Sequence, residues 1–191
     1  TWPPTNPLTG VDFDSHLFIP FTFDNGTQCD LETNNDSTSA GKCHLWYKAK
    51  HNGQPKTYSG TPKVLSDSTS GTELYHIYDD ANEDFVTLDQ DDEDAPGIET
   101  ITISKVRSGV YSYSVKNYDD KSATSSDNMS KSRAKVKVYY NSGTKLYKKN
   151  FRVPDKNGTL WKVFTFDKDT GSPFTRLRDM DYDTTNGKDI Y

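Results

Sequence analysis

The chain has 191 residues, of which 31% are hydrophobic and 13% aromatic, and its formal net charge is −5. This length allows one domain with a substantial core, while the negative balance and the lack of a recognised motif argue against a nucleic-acid partner. No apolar run is long enough to span a membrane as a helix, so we expect no membrane insertion. The opening residues lack the regions of a signal peptide, and we expect a chain excised from a longer precursor.

Apolar and polar residues alternate along most of the chain, which is the period of a β-strand. The predicted strands are 17–23, 44–50, 74–78, 85–88, 99–104, 110–115, 136–140, 146–151 and 160–166. Asn141-Ser-Gly143 predicts a hairpin turn between the seventh and eighth strands. Pro20 has no backbone N–H, so we expect the first strand to lie at an edge or carry a bulge. Since aromatic residues reach 13% and are spread over many short strands, the pattern predicts an antiparallel β-sandwich of Ig-like or jelly-roll type.

Long polar stretches interrupt this pattern. Residues 29–43, 53–71 and 119–132 are rich in Ser, Thr, Asp and Gly, and we expect surface loops there. The residues after Asp167 show no periodicity. We therefore predict a single all-β sandwich domain at 11–167, preceded by an extension at 1–10. A tail at 168–191 would pack on the sandwich or lead to a next domain.

The chain has two cysteines, Cys29 and Cys43, which flank one of the polar loops. We predict a disulfide between them, because little apolar surface is present to hold that loop. In the chain-entropy model a bridge across such a loop contributes about 3 kcal/mol. Paired cysteines indicate an oxidising compartment, so we expect a secreted or cell-surface protein. The alternative is two free thiols in a cytosolic protein.

An acidic loop follows the fourth predicted strand, and two further aspartates precede the first. Carboxylates within a few ångströms of one another raise each other's pKa unless a cation or bulk water screens them. Asp12 and Asp14 fall on one face of an extended segment, because side chains alternate along a strand. Ca²⁺ takes about six to eight oxygen ligands, so one site would need both segments. The predicted calcium ligands are Asp12, Asp14, Asp89, Asp91, Asp92 and Glu99, and the alternative is a solvated loop.

Two smaller groups are secondary metal candidates. His16 and His44 could supply imidazole ligands to a transition metal, although a structural role is commoner for a lone histidine in a strand. The tail contains an Asp-x-Asp-x-Asp run typical of calcium loops, but Thr184 stands where an EF-hand requires Gly, and Ile190 where it requires Glu. This lesser calcium candidate comprises Asp179, Asp181 and Asp183.

Charge is strongly polarised along the chain. Residues 79–94 contain nine acids and no base, whereas residues 131–152 contain eight bases and no acid. We interpret these as two solvated faces that attract each other, in preference to an anion-binding patch.

Signatures of catalysis are missing from the sequence. It contains no Gly-x-Ser-x-Gly, no His-Glu-x-x-His and no phosphate-binding glycine loop, so we predict that the protein is not an enzyme. A hydrolase that uses two carboxylates stays open, because such chemistry needs no longer motif. Aromatic residues that the core does not require could instead stack sugar rings. They are Trp2, Tyr58, Tyr139, Tyr182 and Tyr191.

Several motifs follow one another in a characteristic order. They are Asp12-Phe-Asp-Ser-His-Leu17, Cys43-His-Leu-Trp-Tyr47, Leu88-Asp-Gln-Asp-Asp92, Glu99-Thr-Ile-Thr-Ile103, Gly109-Val-Tyr-Ser-Tyr-Ser-Val115, Asn117-Tyr118, Ala134-Lys-Val-Lys-Val-Tyr139 and Trp161-Lys-Val-Phe164. Over residues 11–167 this order resembles the YfaP-like domains of unknown function. The resemblance implies a secreted or surface-attached β-sandwich module, with acidic positions matching Asp12, Asp14, Asp89, Asp91 and Asp92. Pro96-Gly-Ile-Glu99 departs from the Gly-Pro-Glu turn of that pattern, and a polar insertion follows Tyr118.

We therefore expect a non-catalytic extracellular adhesion or matrix module whose loops are ordered by bound Ca²⁺. Its partner would be a cell-surface glycan or an extracellular matrix protein. The alternative is a carbohydrate-binding module that uses surface aromatics, and a hydrolase with paired carboxylates is less favoured.

Overall fold

The structure is a computed structural model that describes residues 11–20, 43–45, 75–79, 84–90 and 97–183. Between positions 43 and 90 it describes mainly the backbone of three strands. The elements are β1 (Phe13–Ile19), β2 (Cys43–Leu45), β3 (Tyr75–Asp79), β4 (Asp84–Gln90), β5 (Thr100–Ile103), β6 (Tyr111–Asn117), α1 (Asn128–Lys131), β7 (Lys135–Asn141), β8 (Leu146–Arg152), β9 (Leu160–Phe166) and β10 (Phe174–Asp181).

The strands form antiparallel sheets. A five-stranded sheet has the order β10-β9-β6-β1-β2, a three-stranded sheet the order β3-β4-β5, and β7 pairs with β8. The prediction of an all-β, antiparallel fold is confirmed. Each predicted strand overlaps an observed one, and the predicted hairpin is β7–β8, with Gly143 at a φ of 87° in its turn.

The first strand differs from its prediction. β1 lies inside the sheet, between β6 and β2, so the expected edge position is wrong. The reason is its boundary: β1 ends at Ile19, which pairs with Cys43, and Pro20 follows the last ladder residue. The missing N–H of proline therefore interrupts no strand pairing.

The last strand was not predicted. β10 pairs with β9 at the edge of the five-stranded sheet, from Phe174 opposite Phe166 to Asp181 opposite Leu160. Most of its side chains are exposed, so it lacks the apolar alternation that marked the other strands. Residues 174–181 of the predicted tail therefore form a strand of the sheet, paired with β9.

One core cluster takes side chains from all three sheets. It includes Leu17 of β1, Leu88 of β4, Phe151 of β8 and Trp161 of β9, all at most 3% exposed. Aromatic rings supply much of this packing, as expected from the composition. The ring centroids of Phe151 and Phe164, for example, are 5.0 Å apart.

The polar insertion after β6 is more deeply packed than predicted. Within it, α1 places Met129 at 0% exposure in the core cluster. Ser132 is also buried, and its hydroxyl donates to the Met129 carbonyl at 2.6 Å. The prediction of a surface loop is therefore wrong around α1, because one apolar anchor and local hydrogen bonds draw the segment inward.

Candidate functional site

β1 is buried along its whole length, although it carries ionisable residues. Asp14 is 2% exposed and His16 is 0% exposed. They lie opposite Lys116 and Ser114 of β6, so these four positions share one face of the sheet. As predicted, Asp14 and His16 lie on one face of β1. This polar face is buried and is not exposed to solvent.

Glu99 brings a third acid to this strand. Its Oε2 atom accepts a 2.6 Å hydrogen bond from the backbone N–H of Ser15. The described part of β2 pairs with Leu17, Phe18 and Ile19, and the Glu99 carboxylate bonds to β1 two residues before Leu17. The turn that follows the acidic loop is thereby fastened to β1.

Tyr113 of β6 interacts electrostatically with the same Glu99 carboxylate. Its hydroxyl lies 2.6 Å from the hydroxyl of Ser15. Burial and the neighbouring Glu99 charge raise the pKa of Tyr113 above its usual range, while the Ser15 hydrogen bond acts in the opposite direction. The phenol is therefore held neutral beside the acid.

Asp12 stands just before β1. Its backbone N–H donates to Oδ2 of Asp119 at 2.9 Å, and its carbonyl accepts from Tyr118 at 3.0 Å. Several buried side-chain polar atoms belong to residues 12–16 and to Glu99. They are Oδ1 of Asp12, Oδ2 of Asp14, Nε2 of His16 and Oε1 of Glu99.

Part of the predicted calcium set can be placed. Asp12, Asp14 and Glu99 belong to or contact the β1 region, and Asp89 lies in β4, while Asp91 and Asp92 fall outside the described residues. Among the described side chains, no group of three or more His, Cys, Asp or Glu could hold a metal ion. A site here would therefore need the loop acids as well.

The alternative metal pair is placed only in part. His16 is fully buried in β1, and His44 lies opposite Phe18 in the β1–β2 register. The side chain of His44 lies outside the described residues, so the transition-metal site of His16 and His44 stays a prediction. Cys29 also lies outside them, so the disulfide stays a prediction as well. Cys43 begins β2.

The acidic run of the tail lies along β10 and just beyond it. Asp179 and Asp181 are exposed, and Oδ2 of Asp181 is 3.7 Å from Nζ of Lys162. Asp183 is buried and accepts a hydrogen bond from Nζ of Lys116. An extended strand spreads these carboxylates out, and they are not among any described metal-binding group.

Lys116 was not predicted as a site residue. It is 2% exposed in the middle of a sheet, and the Asp183 side chain with which it pairs is 5% exposed. Lysine is rarely buried to this extent without a partner. The sequence signal was a lysine inside an apolar strand, but its partner lies 67 positions away.

A second polar cluster surrounds Asp120. Its Oδ2 atom accepts hydrogen bonds from Asn117 at 2.7 Å, Ser126 at 2.5 Å and Asn128 at 2.9 Å. Beside it is a polar cavity of about 310 Å³, lined by Asp120, Ser125, Ser126, Asp127, Asn128 and Asn157. These bonds tie the insertion to the end of β6, which is a structural role.

The basic run forms the outer face of the β7–β8 hairpin. Its alternate residues are exposed, and its inner residues, such as Val136 and Phe151, contact the core. The exposed cations of this face are Lys135, Lys137, Lys148 and Arg152. Tyr139 lies among them at 59% exposure, with Nζ of Lys148 5.3 Å from its ring centroid.

Two of the predicted sugar-stacking residues, Tyr139 and Tyr182, lie within the described part of the chain. Tyr182 is half-buried, and its hydroxyl accepts a 3.4 Å hydrogen bond from the Ser126 N–H. Trp2, Tyr58 and Tyr191 lie outside the described residues. Of the two described rings, Tyr139 is the exposed one.

Comparison with known proteins gives no relative: no family model, curated protein or solved structure matches the chain. The resemblance to YfaP-like domains therefore stays a prediction from motif order. None of the described helices has the length and apolar character needed to cross a membrane.

Proposed function

We propose that the protein is a non-catalytic, extracellular adhesion or matrix module, built as a β-sandwich, whose acidic loop is ordered by Ca²⁺. The proposal starts from the antiparallel sheets, whose side chains meet in one core cluster. Sheets that pack their side chains into one shared core suit a sandwich. Loops at the end of such a fold are the usual place for binding residues.

The observation that carries the proposal is the hydrogen bond from the Ser15 N–H to the Glu99 carboxylate. This bond holds Glu99, which follows the acidic loop, against β1. Asp89, at the start of the loop, lies in β4. Only a short connection separates these two anchors. The proposal requires Asp91 and Asp92, which lie between these anchors in the sequence, to approach the β1 region, where Asp12 lies.

Electrostatics favour a divalent cation at this position. Carboxylates brought close together and removed from water repel one another, and a bound cation offsets that repulsion. We assign the site to Asp12, Asp14, Asp89, Asp91, Asp92 and Glu99. Hard oxygen ligands of this kind suit Ca²⁺ better than a transition metal.

Calcium would then couple binding to stability, because an ion that binds only the folded loop stabilises the folded state. We expect thermal unfolding in EDTA to occur roughly 5 to 10 °C below unfolding in millimolar Ca²⁺. The variant Glu99→Gln and the double variant Asp91→Ala, Asp92→Ala should lose this difference. An exposed acid between β8 and β9 provides the matched control, and Asp155→Asn should keep it.

Other results would contradict the proposal. Equal unfolding temperatures with and without Ca²⁺ would leave the acidic loop as solvated surface. A response to micromolar Zn²⁺ alone would move the site to His16 and His44.

A second candidate function is binding of an acidic glycan by the β7–β8 hairpin. Its specific support is the exposed ring of Tyr139 within a row of cations. A tyrosine ring can stack on a sugar while lysines pair with its carboxylate or sulfate groups. On an array of neutral and acidic glycans, Tyr139→Ala should lose binding to acidic glycans, and Tyr139→Phe should keep it. Binding that is unchanged in Tyr139→Ala would exclude this surface.

A further inference from the structure

We propose that the side chains of Lys116 and Asp183 are joined by an intramolecular amide bond between Nζ and Cγ. This covalent crosslink would connect β6 to the segment that follows β10. It goes beyond the proposed function and does not depend on the calcium site.

The first support is the burial of both groups. Lys116 is 2% exposed, the Asp183 side chain is 5% exposed, and Nζ of the lysine donates to Oδ2 of the aspartate. A buried ion pair by itself stabilises a fold weakly, because desolvation offsets the attraction between its charges. Conversion to an amide would remove both charges and leave a group that is easier to keep away from water.

The second support is the way in which the backbone holds both partners. Lys116 is paired on two sides, with Asp14 of β1 and with Leu160 of β9. The backbone N–H of Asp183 donates to Oγ1 of Thr159 at 3.1 Å. Thr159 is in turn bonded to the residue after the lysine, since its carbonyl accepts from the Asn117 N–H at 2.8 Å.

Such fixed geometry favours a reaction between the two groups. Well-oriented groups in one molecule can react as though present at about 10⁵ M or more. The surroundings also exclude water, because Leu160, opposite the lysine, packs with Phe18 in a buried apolar pair. Low access of water slows the reverse reaction, which is hydrolysis of the amide.

The step balances without any co-reactant. A proton transfer within the pair converts ammonium and carboxylate to amine and carboxylic acid, and burial lowers the cost of losing both charges. The lone pair of Nζ then attacks Cγ, the Nζ–Cγ bond forms, and one Cγ–O bond breaks. Two of the three ammonium protons leave with that oxygen as water. The ion pair thus becomes an amide and one water molecule, and net charge is conserved.

The crosslink would close a long loop of the chain, since its two residues are 67 positions apart. Loop closure of this kind stabilises a protein by restricting the unfolded chain. Across the sheet, it would connect the central strand β6 to the end of the edge strand β10. We expect the bond to raise the unfolding temperature by on the order of 10 °C.

Intact mass spectrometry of the denatured full chain tests the proposal. We expect a mass lower than that of the sequence by one water molecule, after allowance for any disulfide. Tandem mass spectrometry of a protease digest should find the peptides of Lys116 and Asp183 as one branched species. The variants Lys116→Arg and Asp183→Ala should each have the full mass of their sequences.

Two results would overturn the proposal. One is a wild-type chain at full sequence mass, with separate peptides for the two residues after prolonged incubation. The other is a water loss that persists in Lys116→Arg, because that loss would come from a cyclised aspartate elsewhere. Both readouts use denatured protein without added metal, so they are independent of the calcium experiment.

Discussion

The β1 region and the β7–β8 hairpin both carry charged residues, but these are buried in the β1 region and exposed on the hairpin. At β1, Asp14 and its opposite neighbour Lys116 are each 2% exposed, whereas the cations on the outer face of the hairpin are exposed. A charge in water costs the fold little, and a buried charge requires a compensating partner. The contrast teaches that the buried lysine has a defined partner, Asp183, while the cations of the hairpin face solvent.

The largest effect is expected when the side chain of the buried Lys116 is removed. Lys116→Ala leaves Asp183 buried without its partner and removes the proposed crosslink, so we expect a loss of at least about 3–5 kcal/mol in the free energy of unfolding. Denaturant unfolding measures this loss. A change below about 1 kcal/mol would show that the pair is effectively solvated.

Removal of the Glu99 side chain should have an intermediate effect. Glu99→Ala deprives the Ser15 N–H of its carboxylate acceptor. Hydrogen bonds to charged groups contribute about 1.5–3 kcal/mol, so a loss of that size is expected in metal-free buffer. Hydrogen exchange of the Ser15 amide should become faster in the same variant. Unchanged exchange would mean that Glu99 does not fasten its loop to β1.

The pH dependence of stability tests the buried environment of Tyr113. Its pKa is raised in the folded state, so the folded protein keeps the phenol proton after the unfolded chain has lost it. The stability contribution is therefore complete below the ordinary tyrosine pKa of 10.0 and is lost as pH rises above it. Chemical unfolding in alkaline buffers should show this loss in the wild type but not in Tyr113→Phe. The same loss in both proteins would assign the effect to other groups.

The smallest effect is expected on the hairpin. Lys137 is exposed on its outer face and makes no ion pair with a described acid. Lys137→Ala should change the free energy of unfolding by less than about 0.5 kcal/mol. A loss comparable to that of Lys116→Ala would remove the distinction between the two regions.

The features that sequence reasoning found were those with local causes. The hairpin follows from the alternation of β7 and β8 and from the turn residues Asn141 and Gly143. Glu99 was included in the predicted site because it follows the acidic loop, and the structure brings it to β1. Alternation likewise placed Asp14 and His16 on one face.

The features that it missed depend on pairing between distant segments. β10 is an edge strand with exposed, charged side chains, so its membership of the sheet rests on backbone hydrogen bonds that leave no apolar pattern. The pairing of Lys116 with Asp183 follows from the packing of the chain after β10 against Thr159. Neither register is encoded in any short window of the sequence.

The most direct test of the central claim is calcium titration of the metal-free chain by calorimetry. The account predicts saturable binding of about one Ca²⁺ per chain, lost in the double variant Asp91→Ala, Asp92→Ala and retained in Asp155→Asn. No binding heat at millimolar Ca²⁺, or binding that the double variant keeps, would contradict it.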